Sequence, residues 1–276
     1  MKTSSHTHAY ARPFFCALIL LCLALSAAPH AIAQAAPQTQ ANTNAPSSPA
    51  ATARTPTEVA REFYRALREK RFRDALAMSI YKPAIEGLTA QEVEELRPDF
   101  EKLSGVVLEE VVIVGEQVSG ETATVFGKFE QDDLNGAPRP LTLIREGGAW
   151  LVGDRAGLEA VKAGGKNYFF ETRISTHQSE VEKLLGRLVA VQMVYAAKHG
   201  GTYGDLPALV REGLMPADSL THDSTGYRIY VKLDKGGKAY TAGAEPVRYG
   251  RTGRLSYRVD AKGEVKSKDA GGKPIK

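Results

Sequence analysis

Residues 120–131 read GETATVFGKFEQ, and the alternation in this stretch decides the fold of the first half of the chain. Ala123, Val125, Gly127 and Phe129 share one face of an extended segment, and polar or exposed positions fall between them. Ser119-Gly120 is a turn signal, so residues 106–118, rich in β-branched side chains, should form the preceding antiparallel strand. Downstream, Asn135-Gly136 marks a longer turn, and residues 139–146 and 149–153 form a hairpin across Gly147-Gly148. Upstream, the period changes from two to helical. Thr55-Pro56-Thr57-Glu58 and Thr89-Ala90-Gln91-Glu92 are capping boxes. Val59, Phe63, Ala66 and Leu67 follow the first; Val93, Leu96, Phe100 and Leu103 follow the second, with Pro98 a kink or break. A short helix through Phe72, Ala75, Leu76 and Ser79 lies between them. Helices followed by a curved antiparallel sheet make an α+β domain over residues 55–155.

The second half repeats the order with different proportions. Ser179-Glu180-Val181-Glu182 reads as the cap of a long helix. Its stripe is Val181, Leu184, Leu185, Leu188, Val191, Gln192 and Tyr195, and Gly200-Gly201 ends it. Strands are expected at 227–233, 239–244 and 255–259, with a short fourth at 263–266 and a hairpin loop at 235–238. The fold class is therefore α+β in two domains, 55–155 and 178–266, with residues 156–177 as the connection and 267–276 as a flexible tail.

The beginning of the chain is of another kind. Lys2 and Arg12 precede the uncharged apolar run 14–25, Pro29 breaks it, and Ala31-Ile32-Ala33 is an exit site. These are the three parts of a secretory signal, expected to span residues 1–33. Residues 34–54 are almost wholly Ala, Pro, Gln, Asn, Ser and Thr, and read as a disordered linker. Cys16 and Cys22 both lie inside the expected signal, so the exported chain would carry no thiol for a disulfide, a metal or a nucleophile. The charge is uneven: residues 55–160 hold 13 basic and 20 acidic side chains, whereas residues 161–276 hold 20 basic and 12 acidic. Opposite balance in two halves suggests two domains, with the basic second half docking either the acidic first half or an acidic partner.

Two resemblances follow. PTEVAREFYRALREKRFRDAL, GETATVFGKF and LTLIREGGAWLVGD resemble small exported domains of the nuclear-transport-factor-like superfamily, which wrap a bent sheet around helices as a cone. AVQMVYAAKHGGTYGDLPALVREGLM, STGYRIYVKL, AYTAGAEPV and RTGRLSYRVDAKGEV resemble the globular head of type IV pilins and type II secretion pseudopilins. The pilin's cleavage site and apolar N-terminal helix do not precede residue 179, so the resemblance implies a pilin-like head displayed on a soluble protein.

Chemistry is sparse. His177, His199 and His222 are not at metal-ligand spacing, and no catalytic, cofactor or metal site is assigned. Enzymes of the cone superfamily hold an acid or histidine base in an apolar pocket. The strand acids here are Glu109, Glu110, Glu116 and Glu130: adjacent Glu109 and Glu110 cannot both face inward, Glu130 beside Asp132 and Asp133 reads as a solvated strand end, and a buried base stays open as the alternative. Phe63, Phe126, Phe129 and Trp150 filling the cone would leave no room for a ligand. Arg248, Arg251, Arg254, Arg258 and Lys262, near Tyr249 and Tyr257, are the candidate contacts for nucleic acid or an acidic partner. A solvated sheet face is the preferred reading of that stripe, and nucleic acid is not the favoured partner. The expectation is a non-enzymatic interaction or assembly protein of the bacterial envelope, periplasmic or secreted, with a protein partner, no cofactor and no membrane span after signal cleavage. The alternatives are a small-molecule binder or isomerase using the cone, and DNA binding by the second domain.

Overall fold

The computed structural model describes residues 54–133, 136–222, 225–260 and 262–275. The expected signal, all but the last residue of the expected linker, and Asn135 of the expected turn lie outside them. The protein is α+β and falls into two compact units, one through Lys166 and one from Asn167.

The first unit opens with four helices: α1 (Pro56–Arg68), α2 (Phe72–Ala77), α3 (Lys82–Glu86) and α4 (Ala90–Ser104). Both expected capping boxes form: Thr55 and Thr89 each accept the N–H three residues on, and Glu58 and Glu92 accept the reciprocal bonds. Each such cap stabilises a helix start by about 1 kcal/mol. Pro98 sits inside α4 without ending it. The sheet follows as an antiparallel meander of β1 (Val107–Ser119), β2 (Thr122–Glu130), β3 (Arg139–Glu146) and β4 (Ala149–Val152). Its buried face carries Ala123, Val125, Phe129, Leu141 and Leu143, in the alternation that residues 120–131 announce.

The sheet is curled, and two features make it so. The register of β1 against β2 slips between Val107 and Val112 and again between Ile113 and Gly115, and such bulges bend a strand. At Gly127 a Cβ would lie 2.6 Å from the Val112 carbonyl and 2.9 Å from the Phe129 ring, so the bend closes only over a glycine. Helix α1 packs on β1, β2 and β4 with Phe63, Tyr64 and Leu67 buried. Residues 78–80 run beside β4, with Ile80 N–H donating to Val152 O and Val152 N–H to Met78 O, both at 2.9 Å. Asp154 then caps α5 (Arg155–Gly164) through the Gly157 N–H.

The second unit is one long helix, α6 (Tyr168–Lys198), a short α7 (Leu206–Arg211), and a second antiparallel meander. Its strands are β5 (Tyr227–Leu233), β6 (Tyr240–Pro246), β7 (Leu255–Asp260) and β8 (Val265–Asp269), hydrogen-bonded in that order. Helix α6 does not start at the Ser179 capping box; Ser179 is an interior residue. Phe170, Ile174, His177, Val181, Leu184, Leu188 and Gln192 are buried at steps of three or four, and this unbroken seam carries the helix past the local stop-and-start signal. Residues 156–177, expected as a connection, are thus mostly the body of α5 and the first turns of α6.

The core of this unit gathers Val181, Leu185 and Leu188 of α6, Leu206 and Leu209 of α7, and Tyr227, Ala242, Ala244, Tyr257 and Val259 of the sheet. Among the described residues of this unit, two polar side chains, Gln192 and Ser256, lie fully inside. Gln192 is 0% exposed; its Nε2 donates to Gly204 O at 2.7 Å and its Oε1 accepts from Gly204 N–H at 3.0 Å. It completes both backbone groups of Gly204, as a neighbouring strand would, and ties the segment before α7 to the long helix.

Candidate functional sites

The first unit contains an apolar cavity of about 60 Å³ between α1, α2, the segment 79–81 and the sheet. Phe63, Tyr64, Leu67, Leu76, Ile80 and Val152 are part of its wall. That volume is room for a few water molecules, against the ~300–1,000 Å³ of pockets that hold cofactor-sized ligands. The filling follows sequence reasoning in part. Phe63 and Phe129 are buried, and Tyr64 stacks on Phe129 with centroids 5.0 Å apart. Phe126 and Trp150 do not line the cavity beside the curled sheet. Phe126 sits opposite Pro140 in the phase that alternates with Val125 and Phe129, and both rings are half-buried.

The acids near this cavity are engaged in holding the fold. Among the described residues lining it, the carboxylate is that of Asp154, whose Oδ1 accepts the Gly157 N–H at 2.7 Å. Glu116 reaches the first turn of α1, accepting from Thr57 N–H at 3.0 Å and Thr57 Oγ1 at 2.6 Å, where a helix N-terminus favours an anion. Glu109 and Glu110 are exposed.

Asp133 corrects the sequence reading most clearly. It does not sit at a solvated strand end; it is 4% exposed. Oδ2 accepts from Phe129 N–H and Glu130 N–H, both at 3.1 Å, and Oδ1 from Arg139 Nη1 at 2.8 Å. Burial pushes this carboxyl up, but the Phe129 amide, the Arg139 guanidinium and the Glu130 amide outweigh it, and the net shift is downward. A carboxyl held ionised this way closes the turn between β2 and β3; a general base at neutral pH needs the opposite shift. Burial, with Glu130 adding to it, raises the neighbouring Tyr64 hydroxyl far out of the physiological range.

The histidines of the second unit are dispersed. His177 is buried, with Nδ1 3.0 Å from Thr252 O. His199 follows the last turn of α6, stacks on Tyr195 at 4.0 Å and meets Glu212 Oε1. His222 is exposed. Among the described residues no three His, Cys, Asp or Glu side chains are grouped as metal ligands would be. No helix there is long and apolar enough to cross a membrane.

The five basic residues singled out from sequence are not brought onto one face. Arg254 turns to α6, with Nη1 and Nη2 on the Glu171 carboxylate at 2.6 and 2.5 Å and its N–H on Gln178 Oε1. The Arg251 guanidinium lies 4.1 Å from the Phe170 ring centroid. Of the two tyrosines, Tyr257 is a core residue and Tyr249 donates its hydroxyl to Asp269 Oδ2. Arg258 is the one of the five placed in a strand with its alternation toward the outer face of the second sheet, since its neighbours Tyr257 and Val259 face the core. Arg248 and Lys262 lie in the loops flanking β7 and are exposed.

That outer face holds a basic set which the sequence order conceals. The core-facing positions Tyr227, Ile229, Ala242, Ala244, Tyr257 and Val259 leave Arg228, Tyr230, Lys232, Glu245, Arg258, Lys266 and Lys268 on the other side. Tyr230, Gly243, Arg258 and Lys266 stand in one cross-strand row. A Cβ on Gly243 would lie 2.5 Å from the Tyr230 hydroxyl, so the phenol end rests across that glycine, and Lys232 Nζ lies 4.9 Å from its ring centroid. The signal that could have found this set is the period-two spacing of Arg228 with Lys232 and of Lys266 with Lys268; the register that joins them is non-local. No protein-family model, no curated protein and no solved structure matches the chain.

Proposed function

We propose that this is a non-enzymatic interaction protein of the bacterial cell envelope, exported by residues 1–33, in which a nuclear-transport-factor-like cone and a pilin-like head offer surfaces to a protein of a pilus or secretion machine. The observation that carries this reading is the contrast between cavity and surface. The cavity is small, and the Asp154 carboxylate on its wall caps a helix. The surface, by contrast, presents Val112, Val114 and Val118 at 50, 61 and 51% exposure on β1, an edge strand of the first sheet. An edge strand with exposed β-branched residues is a template for a partner. The second sheet adds its basic outer face. Affinity capture from envelope extract with the tagged full chain, after in-cell cross-linking, tests the proposal: a pilus or secretion component enriched over an unrelated exported bait is expected. Recovery of none, or turnover of a small substrate abolished by substituting Asp154, overturns it. Export is tested separately by fusing residues 1–33 to a reporter active only outside the cytoplasm.

A further inference from the structure

We infer that the edge of the second sheet formed by β8 takes up an acidic, extended polypeptide segment of the partner as an added strand. The inference rests on the interaction-protein reading above and names the chemistry of the partner and the place where it docks. Strand β8 ends the sheet order β5-β6-β7-β8, so within the sheet it pairs with β7 alone. Residues 266–269 of this strand are all exposed.

Its side chains favour an acidic neighbour. Lys266 and Lys268 occupy alternate positions, roughly 7 Å apart along the strand, the spacing at which residues i and i+2 of an extended peptide present their side chains. Lys266 stands directly opposite Arg258, a like-charge pair that disfavours the ladder; the Glu264 carboxylate 3.4 Å from Lys266 Nζ offsets it only through an exposed, water-screened contact. Arg228 and Lys232 add two more cations to the same face, which also carries Glu245. A strand carrying carboxylates at alternate positions would place them beside Lys266 and Lys268. It would relieve the Arg258–Lys266 repulsion and complete the main-chain ladder at the same time. A nucleic acid would use the cations but also needs aromatic faces for its bases. The aromatic ring of this face, Tyr230, already lies across Gly243 under Lys232.

The test uses the full chain and three fluorescent probes of equal charge: a peptide of about ten residues alternating Glu and Val, its isomer with the glutamates in one block, and an oligothymidylate. The alternating peptide should bind about fivefold or more tighter than either other probe, and slow amide exchange within residues 265–269. Lys266→Glu with Lys268→Glu, both at exposed positions, should weaken it about tenfold while an alternating Lys–Val peptide gains affinity. Equal affinity for the two peptides, tighter binding of the oligonucleotide, no slowing of exchange in β8, or no binding at low salt would each overturn the inference. Failure of the envelope capture with these peptide results intact removes the pilus or secretion assignment alone; the reverse outcome removes only the β8 edge.

Discussion

Gln192 offers the sharpest test of how the second unit is held together. Replacing it by leucine keeps the volume and the helix propensity nearly constant and adds apolar surface where the site is fully enclosed. A tally based on hydrophobicity therefore expects a neutral or stabilising change. The hydrogen bonds say otherwise. Gln192→Leu strands both backbone groups of Gly204, the N–H bonded at 3.0 Å and the C=O at 2.7 Å. Each orphaned buried group costs roughly 1–3 kcal/mol, so the pair should cost about 3 kcal/mol after partial relaxation of the loop. Room for a bridging water is scarce, because a Cβ on Gly204 would already lie 3.0 Å from Tyr195 and 3.1 Å from Leu209. Urea unfolding followed by amide exchange mass spectrometry reads the second unit directly, in peptides covering residues 181–209. The single tryptophan, Trp150, reports the first unit by fluorescence in the same samples. Exchange midpoints should fall by the equivalent of about 3 kcal/mol. Gln192→Glu should be less stable at neutral pH than Gln192→Leu, because a carboxylate faces the Gly204 carbonyl, and should regain stability as pH falls. Burial against that carbonyl should raise the folded pKa of the introduced carboxyl above its unfolded value, so its stabilising form would be the protonated one, which donates to that carbonyl. A Gln192→Leu protein within about 0.5 kcal/mol of the parent would refute the argument that the pair of bonds, and not burial, decides this site.

Further outcomes follow from the same physics. Asp133→Asn should cost about 2 kcal/mol at pH 7 by removing charge-assisted bonds, and the gap to the parent should close in acid. The folded pKa of Asp133 is lowered, so its contribution is present above the unfolded value near ~3.9 and is lost as pH falls through the folded one; unfolding at pH 7 and near pH 3 measures this. Gly253→Ala puts a Cβ 2.0 Å from the hydroxyl of the fully buried Tyr227, whose O–H donates to Leu255 O, and should cost about 3 kcal/mol; Tyr227→Leu in the same chain should recover part of it. Gly153→Ala meets both a positive φ of 126° and the Ile80 side chain at 2.5 Å, and should lower the Trp150 transition but not the exchange midpoint of residues 181–209. Val112→Glu with Val114→Glu should leave stability within about 0.5 kcal/mol and reduce envelope capture, which would tie the β1 edge to partner binding.

Much of the local structure was legible in the sequence because its causes are local. Thr55 and Thr89 cap the helices that their Glu three residues later announce, and Ser119-Gly120 and Gly147-Gly148 turn the strands they separate. Residues 227–233 form the expected strand to the residue. The Ser179 motif failed for a related reason: a capping box is a preference of about 1 kcal/mol, and a buried seam running from Phe170 to Gln192 exceeds it. The basic stripe was read along the chain, whereas exposure is set by strand phase and by partners far off in sequence. Arg254 finds Glu171 on α6, and Arg258 finds Lys266 across the ladder.

By itself, the sequence determined the α+β class, the order of the strands in each half, the caps at Thr55 and Thr89 and the turns at Ser119-Gly120 and Gly147-Gly148; these arise from interactions within a few residues, where composition and spacing are sufficient. Tertiary structure alone decided that Asp133 is a buried clasp, that Gln192 serves the backbone of Gly204, that the cavity beside the curled sheet is about 60 Å³, and that Arg228, Lys232, Arg258, Lys266 and Lys268 share one face. Each of these depends on sheet register or on the packing of distant segments, and a one-residue change of register would exchange core and surface on an entire strand.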